Sequence, residues 1–150
     1  MVSKKQIDDF MASKNVAVVG LSRNPKSFSR SVADSLREKG FKLFGVNPNA
    51  ENINGVKCYN SIGELPAEAD RLLILTSKAG TETIMPEVVK SRFSHIWIQQ
   101  TADTPKVLEM AADSDKNIIS GKCIMMFSEP VNGIHGFHKF LMKLFGKYPK

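Results

Sequence analysis

Short apolar runs alternate along the chain with longer segments whose apolar residues recur every three or four positions. The short runs are rich in β-branched residues, which is typical of parallel strands covered on both faces. The longer segments are typical of amphipathic helices. This pattern predicts strands at residues 15–20, 41–46, 56–59, 72–75, 95–98 and 117–120, and helices at residues 3–13, 28–39, 80–91, 105–111 and 137–145.

Strands that alternate with helices in this way predict right-handed βαβ crossovers. We therefore expect a Rossmann-like three-layer α/β fold, with a central parallel sheet flanked by helices. The chain has no linker, repeat or low-complexity tract, so its 150 residues predict a single domain spanning residues 1–150. Residues 49–55 are expected to form a turn region, residues 61–65 a brief helical turn, and Pro86 to lie in the first turns of its helix.

Charge and composition narrow the class of partner. The net charge is +6 and favours anionic partners, such as phosphorylated cofactors, nucleic acid or an acidic surface. The lysines near the C-terminus are interpreted as a solvated helix face. No apolar run is long enough to span a membrane, and the N-terminus has no apolar signal core, so we expect a cytoplasmic protein without membrane association. Cys58 and Cys123 are then expected to be reduced thiols.

The first strand, its turn at Gly20 and the following helix form the predicted ligand site. A helix N-terminus presents free backbone N–H groups, and Arg23 and Lys26 add positive charge, so this loop suits a phosphate. In parallel sheets, ligands bind at the carboxyl ends of the strands. The polar residues expected at that edge also include Asn47-Pro48, Thr76-Ser77 and Gln99-Gln100.

The loop departs from the dinucleotide-binding fingerprint G-x-G-x-x-G. Ser22 occupies the second glycine position and Pro25 lies close to the third. The end of the second strand, which holds a carboxylate in proteins that bind the ribose diol of NAD, here reads Val46-Asn47-Pro48. These departures favour a ribose that carries a phosphate, which NADP and coenzyme A both provide.

Five segments together resemble the small CoA-binding proteins, whose domain is similar to the N-terminal domain of the succinyl-CoA synthetase alpha subunit. They are residues 16–25 (VAVVGLSRNP), 45–49 (GVNPN), 55–66 (GVKCYNSIGELP), 95–99 (HIWIQ) and 121–123 (GKC). The resemblance implies a Rossmann-like sheet that holds the ADP part of CoA or of an acyl-CoA. Carried over by position, it implies cofactor-binding residues Gly20, Leu21, Ser22, Arg23, Asn24, Pro25, Lys26, Ser27, Phe28, Ser29, Asn47, Pro48, Thr76, Ser77, Ile98 and Gln99.

The sequence departs from this family after Gln99, where an apolar residue and a glycine are usual and Gln100-Thr101 stand instead. The chain from Ile124 onward also lies outside the familiar pattern. The apolar residues 124–127 are a candidate interface for a homo-oligomer.

No catalytic or metal-ligating group is predicted, and His135 and His138 are interpreted as surface histidines. One alternative function is an NADP-dependent reductase or redox sensor, although neither Tyr59 nor Tyr148 offers the Tyr–Lys pairing that such an enzyme needs. A second alternative is a partner-binding or nucleic-acid-binding module that uses the basic C-terminal helix, with nucleic acid the less expected ligand. The main prediction is a CoA-binding protein without evident catalysis.

Overall fold

A computed structural model describes residues 1–128, which are built around one seven-stranded sheet. The strands are β1 (Asn15–Val19), β2 (Lys42–Val46), β3 (Asn52–Ile53), β4 (Val56–Tyr59), β5 (Arg71–Ile74), β6 (His95–Gln99) and β7 (Asn117–Lys122). The helices are α1 (Lys4–Met11), α2 (Phe28–Glu38), α3 (Lys78–Lys90) and α4 (Pro105–Ala112), with short 3₁₀ turns at Ile62–Glu64 and Ile124–Met126. The strand order is β3-β4-β2-β1-β5-β6-β7, and every neighbouring pair is parallel except β3–β4.

Alternate residues of the central strands enter two separate hydrophobic clusters. Val16 and Val18 pack on the face that carries α1 and α2, whereas Ala17 and Val19 pack on the face that carries α3 and α4. Both faces are therefore covered, which explains why residues 16–19 of β1 form an uninterrupted apolar run. This arrangement confirms the expected Rossmann-like three-layer fold.

The ends of α2 follow from local hydrogen bonding. The Ser27 hydroxyl accepts a hydrogen bond from the backbone N–H of Arg30, so Ser27 is the N-cap. At the other end Gly40 has a φ of +86°, and the N–H of Phe41 donates to the carbonyl of Leu36 over 3.0 Å. A glycine in this left-handed conformation is a common way for a helix to end.

Helix α3 begins earlier than predicted, and this changes the position of its proline. The Ser77 hydroxyl accepts from the N–H of Gly80 and starts the helix at Lys78. Pro86 consequently lies in the helix interior, not in its first turns as expected. Its missing N–H leaves the carbonyl of Glu82 without its helical donor.

The region expected to be only a turn contains a further strand. Strand β3 pairs antiparallel with β4 through a tight turn at Asn54 and Gly55, both of which have positive φ. Asn-Gly is a strong signal for such a hairpin, because both residues tolerate the left-handed conformation. The expectation of a turn region alone was therefore wrong for residues 52–53.

The apolar residues that follow β7 pack into the core. Ile124, Met126 and Phe127 are buried on the α1–α2 face, and the Phe127 ring lies 5.8 Å from the buried Trp97 ring. Met125 is partly buried against the same cluster, and a homo-oligomer interface at residues 124–127 stays a prediction. The predicted helix at residues 137–145 lies outside the described residues. Across residues 1–128, no helix combines the length and apolar character needed to cross a membrane.

Candidate functional site

Gly20 allows the chain to turn sharply at the carboxyl end of β1. Its φ is +92°, and a Cβ built on it would lie 2.7 Å from the backbone nitrogen of Thr76, at the end of β5. A side chain at this position would clash with backbone atoms, which cannot easily move away. The turn therefore brings the loop after β1 close against the end of the neighbouring strand.

The polar side chains of this loop mostly bond to the loop itself. The N–H of Ser22 donates to the Ser29 hydroxyl, that of Asn24 to the Ser22 hydroxyl, and that of Lys26 to the Asn24 side-chain oxygen, each over 3.0 Å. Such bonds are typical of turns built by Ser and Asn. The loop is consequently held in shape by its own side chains before any ligand arrives.

The cationic side chains near the start of α2 lie in two different environments. Arg23 and Lys26, the cations predicted to hold a phosphate, are exposed. The Arg30 side chain is buried and reaches back to the loop, where its Nη1 donates to the carbonyl of Arg23 over 3.3 Å. The N–H groups of Phe28 and Ser29, in the first turn of α2, have no acceptor within the helix. This end of the site therefore combines free amides with one buried guanidinium.

A cavity of about 420 Å³ opens beside this loop at the carboxyl edge of the sheet. Five residues predicted for the site line it: Gly20, Leu21, Asn47, Pro48 and Thr76. Asn47 also links two loops, because its Nδ2 donates to the carbonyl of Leu21 over 3.4 Å. The structure therefore brings the ends of β1, β2 and β5 together around one cavity.

The cavity wall also contains residues that the sequence did not predict for the site. They are Val19, Val46, Asn49, Asn60, Ser61, Ile62, Ile84 and Glu87. Asn60 and Ser61 directly follow β4, so the rule that ligands meet the carboxyl ends of parallel strands could have identified them. Ile84 and Glu87 belong to α3, and only the packing of that helix against the sheet brings them to the cavity.

Three residues predicted for the site are buried or hydrogen-bonded within the surrounding fold. The Ser77 hydroxyl is used as the N-cap of α3. Ile98 is fully buried. Gln99 is also buried: its Nε2 donates to Cys123 Sγ over 3.1 Å, and its Oε1 accepts from the N–H of Ile124 over 3.2 Å. The Gln99 amide therefore joins the end of β6 to the segment after β7.

Within residues 1–128, the cysteine thiols are buried and no cluster of metal-ligating side chains forms. Both cysteines are free and buried, and burial raises the pKa of the Cys58 thiol, which disfavours the nucleophilic thiolate. The Lys57 ammonium lies 5.3 Å from the centre of the Tyr59 ring, and thus packs on the face of the ring. Within residues 1–128 no group of three or more His, Cys, Asp or Glu side chains is placed to hold a metal ion. His135 and His138 lie outside those residues.

Comparisons with known proteins point to one family. Residues 14–129 match the family model described as a CoA binding domain. The chain is 26% identical over 137 residues to the alpha subunit of an ADP-forming acetate–CoA ligase II from Pyrococcus furiosus, and this match covers 84% of the chain but 30% of the subunit. It is also 26% identical over 123 residues to the uncharacterised Bacillus subtilis protein YneT, covering 81% of this chain and 91% of YneT.

Solved structures show the same fold. A conserved hypothetical protein from Pyrococcus furiosus superposes with a TM-score of 0.68 and 30% identity, over 73% of this chain and 95% of its own. A hypothetical protein from Pyrococcus horikoshii superposes with a TM-score of 0.76 and 23% identity, over 88% of this chain and 94% of its own. Because the family model covers most of the chain and the strand order agrees with a Rossmann-like sheet, this chain belongs to the CoA-binding domain family.

Proposed function

We propose that this chain binds coenzyme A, either free or as an acyl-CoA, at the carboxyl edge of its sheet. The match of residues 14–129 to the CoA binding domain model carries this proposal. The similarity to an acetate–CoA ligase subunit supports the same class of ligand. The proposed role is binding by one domain in the cytoplasm, and we assign no reaction to the chain.

The phosphates of the ligand are proposed to bind at the loop of residues 20–29. The first-turn amides of α2 support this placement, because a helix N-terminus attracts anions. The exposed Arg23 and Lys26 add positive potential at the loop surface. The hydroxyl and amide side chains of the loop hold it in shape, so most of the proposed contacts come from its backbone.

The adenosine part is proposed to occupy the cavity beside Gly20. Its volume of about 420 Å³ lies within the usual range for small-molecule sites. Apolar and amide side chains share its lining, with Pro48 and Ile62 among the former and Asn47 and Asn60 among the latter. This mixture suits a flat base with polar edges. Ile98 and Gln99 are proposed to support the site without touching the ligand.

Calorimetric titration of the full chain with CoA, dephospho-CoA, NADP and NAD tests this proposal. We expect CoA to bind in preference to both dinucleotides, and dephospho-CoA to bind more weakly because it lacks a phosphate. Binding of NADP without CoA would contradict the proposal and favour the reductase alternative. Absence of binding by all four compounds would also contradict it.

A further inference from the structure

Arg30 is a buried cation whose hydrogen-bond donors are only partly used. Its side chain is only 8% exposed, and its Nε is buried without a hydrogen-bond partner. The guanidinium donates from Nη1 to the carbonyl of Arg23 over 3.3 Å. The ion pairs formed among residues 1–128 do not include Arg30.

A buried cation in this state is unfavourable. Removing a guanidinium from water costs free energy that is recovered only if an opposite charge and further hydrogen bonds replace the water. A carbonyl oxygen replaces one bond and supplies no negative charge. Among residues 1–128, Arg30 therefore has no counter-ion.

The position of Arg30 indicates where such a counter-ion would come from. The residue lies in the first turn of α2, an 11-residue helix, and its guanidinium reaches the loop that follows β1. An anion at this place would meet the guanidinium and the positive end of the helix dipole together. A phosphoryl group suits both, because arginine binds phosphate oxygens through two parallel N–H groups.

We propose that Arg30 binds a phosphoryl group of the ligand beneath the β1–α2 loop, and that it contributes more to affinity than Arg23 or Lys26. This inference rests on the proposed function only in taking the phosphoryl group to belong to CoA. Exposed cations gain little from an ion pair, because water screens them and their side chains lose entropy. A buried guanidinium gains more, since the ligand supplies the charge and hydrogen bonds that it lacks.

Calorimetric titration with CoA compares the wild type with Arg30→Met, Arg30→Lys, Arg23→Met and Lys26→Met. We expect Arg30→Met to lower affinity by about 10- to 150-fold, the loss typical of a hydrogen bond to a charged group. Arg30→Lys should retain part of this affinity. Each exposed-site variant should lose less than about fivefold. Equal losses at the three positions, or binding by Arg30→Met within threefold of wild type, would overturn the inference.

Thermal unfolding without ligand separates binding from a structural role. If Arg30 serves ligand binding and does not stabilise the fold, Arg30→Met should unfold at the same temperature as the wild type or higher, because an unpaired buried charge is removed. A clearly lower unfolding temperature would show that the guanidinium stabilises the fold itself, and would overturn the inference.

Inorganic pyrophosphate distinguishes failure of this inference from failure of the proposed function. If the wild type binds no CoA, the proposed function is wrong. The inference about Arg30 then stands if pyrophosphate raises the unfolding temperature of the wild type and not that of Arg30→Met. It fails if pyrophosphate has no effect on the wild type, or the same effect on both proteins.

Discussion

The two edges of the sheet each hold a largely buried arginine, and the surroundings of the two side chains differ. At the amino edge, Arg71 begins β5 and donates to three backbone carbonyls, those of Phe10, Asp9 and Asp70, over 2.8, 2.8 and 3.2 Å. At the carboxyl edge, Arg30 makes one longer hydrogen bond and keeps a buried Nε unpaired.

This difference distinguishes two uses of buried charge. Arg71 fastens the last turn of α1 to the sheet, and its guanidinium nitrogens find partners within the protein. Arg30 has one backbone acceptor and leaves its buried Nε without a partner. Because buried polar groups are normally hydrogen-bonded, the unpaired Nε of Arg30 supports the proposed contact with a ligand. The hydrogen bonds of the two arginines thus separate the structural edge of the sheet from its candidate binding edge.

The largest expected effect on stability comes from adding a side chain at Gly20, where the backbone passes close to the end of β5. Gly20→Ala should destabilise the protein by about 2–5 kcal/mol, because left-handed backbone strain adds to a clash with the backbone of Thr76. Gly121→Ala is the matched control, since Gly121 also has a positive φ but a Cβ added there would meet no atom within 4 Å beyond its chain neighbours. It should cost about 1–2 kcal/mol. Equal losses in urea unfolding would contradict the close-approach explanation.

Replacing Arg71, whose guanidinium donates to three carbonyls, should have the next largest effect on stability. Arg71→Met should destabilise the protein by about 2–4 kcal/mol, because three carbonyl acceptors lose their charged donor. Lys106→Met removes a charge from an exposed position of α4 and should change stability by less than about 0.5 kcal/mol. If Arg71→Met and Arg30→Met have the same free energy of unfolding in urea, the proposed difference between the two arginines is wrong.

A smaller effect is expected at Gln99, which the sequence assigned to the ligand and the structure uses as a link. Gln99→Met should cost about 1–3 kcal/mol, because the buried N–H of Ile124 loses its acceptor. Its affinity for CoA should remain close to that of the wild type. Gln100→Met, at an exposed neighbouring position, should change stability by less than about 0.5 kcal/mol. A tenfold loss of CoA affinity in Gln99→Met would instead place Gln99 in contact with the ligand.

The smallest effect concerns His95 at the amino edge. Its Nδ1 lies 3.1 Å from Nδ2 of Asn117 and accepts from that amide when the imidazole is neutral. Burial, reinforced by the charge of Arg71, lowers the pKa of His95, although Asp9 and Asp70 oppose this shift.

The direction of the resulting pH dependence follows from that lowered pKa. The unfolded chain binds the proton at a higher pH than the folded chain does, so acid favours unfolding. The free energy of unfolding should fall as the pH drops through the ordinary histidine pKa of 6.5. Urea unfolding of the wild type and His95→Gln from about pH 8 to pH 5 measures this contribution. An identical pH dependence in both proteins would exclude it.

Local sequence patterns determined most of the fold. Buried parallel strands need apolar residues on both faces, so β1, β2, β5 and β6 were predicted to within one or two residues of their observed ends. Gly40 and Thr104 mark helix ends through bonds that they make with nearby residues. The carboxyl-edge rule also predicted that Asn47, Pro48 and Thr76 lie at one edge of the sheet, where they line the same cavity.

Tertiary structure decided which polar and charged side chains near the carboxyl edge are buried. The sequence presents Arg23, Lys26 and Arg30 as similar cations, but only Arg30 is buried when α2 packs against the sheet. The sequence likewise presents Gln99 as a polar residue at a strand end. In the structure its side-chain amide is hydrogen-bonded to Cys123 and Ile124, which follow β7. Burial and hydrogen-bond partners depend on residues that are far apart in sequence. For this reason only the folded chain distinguishes a side chain bonded within the protein from one that keeps an unpaired donor.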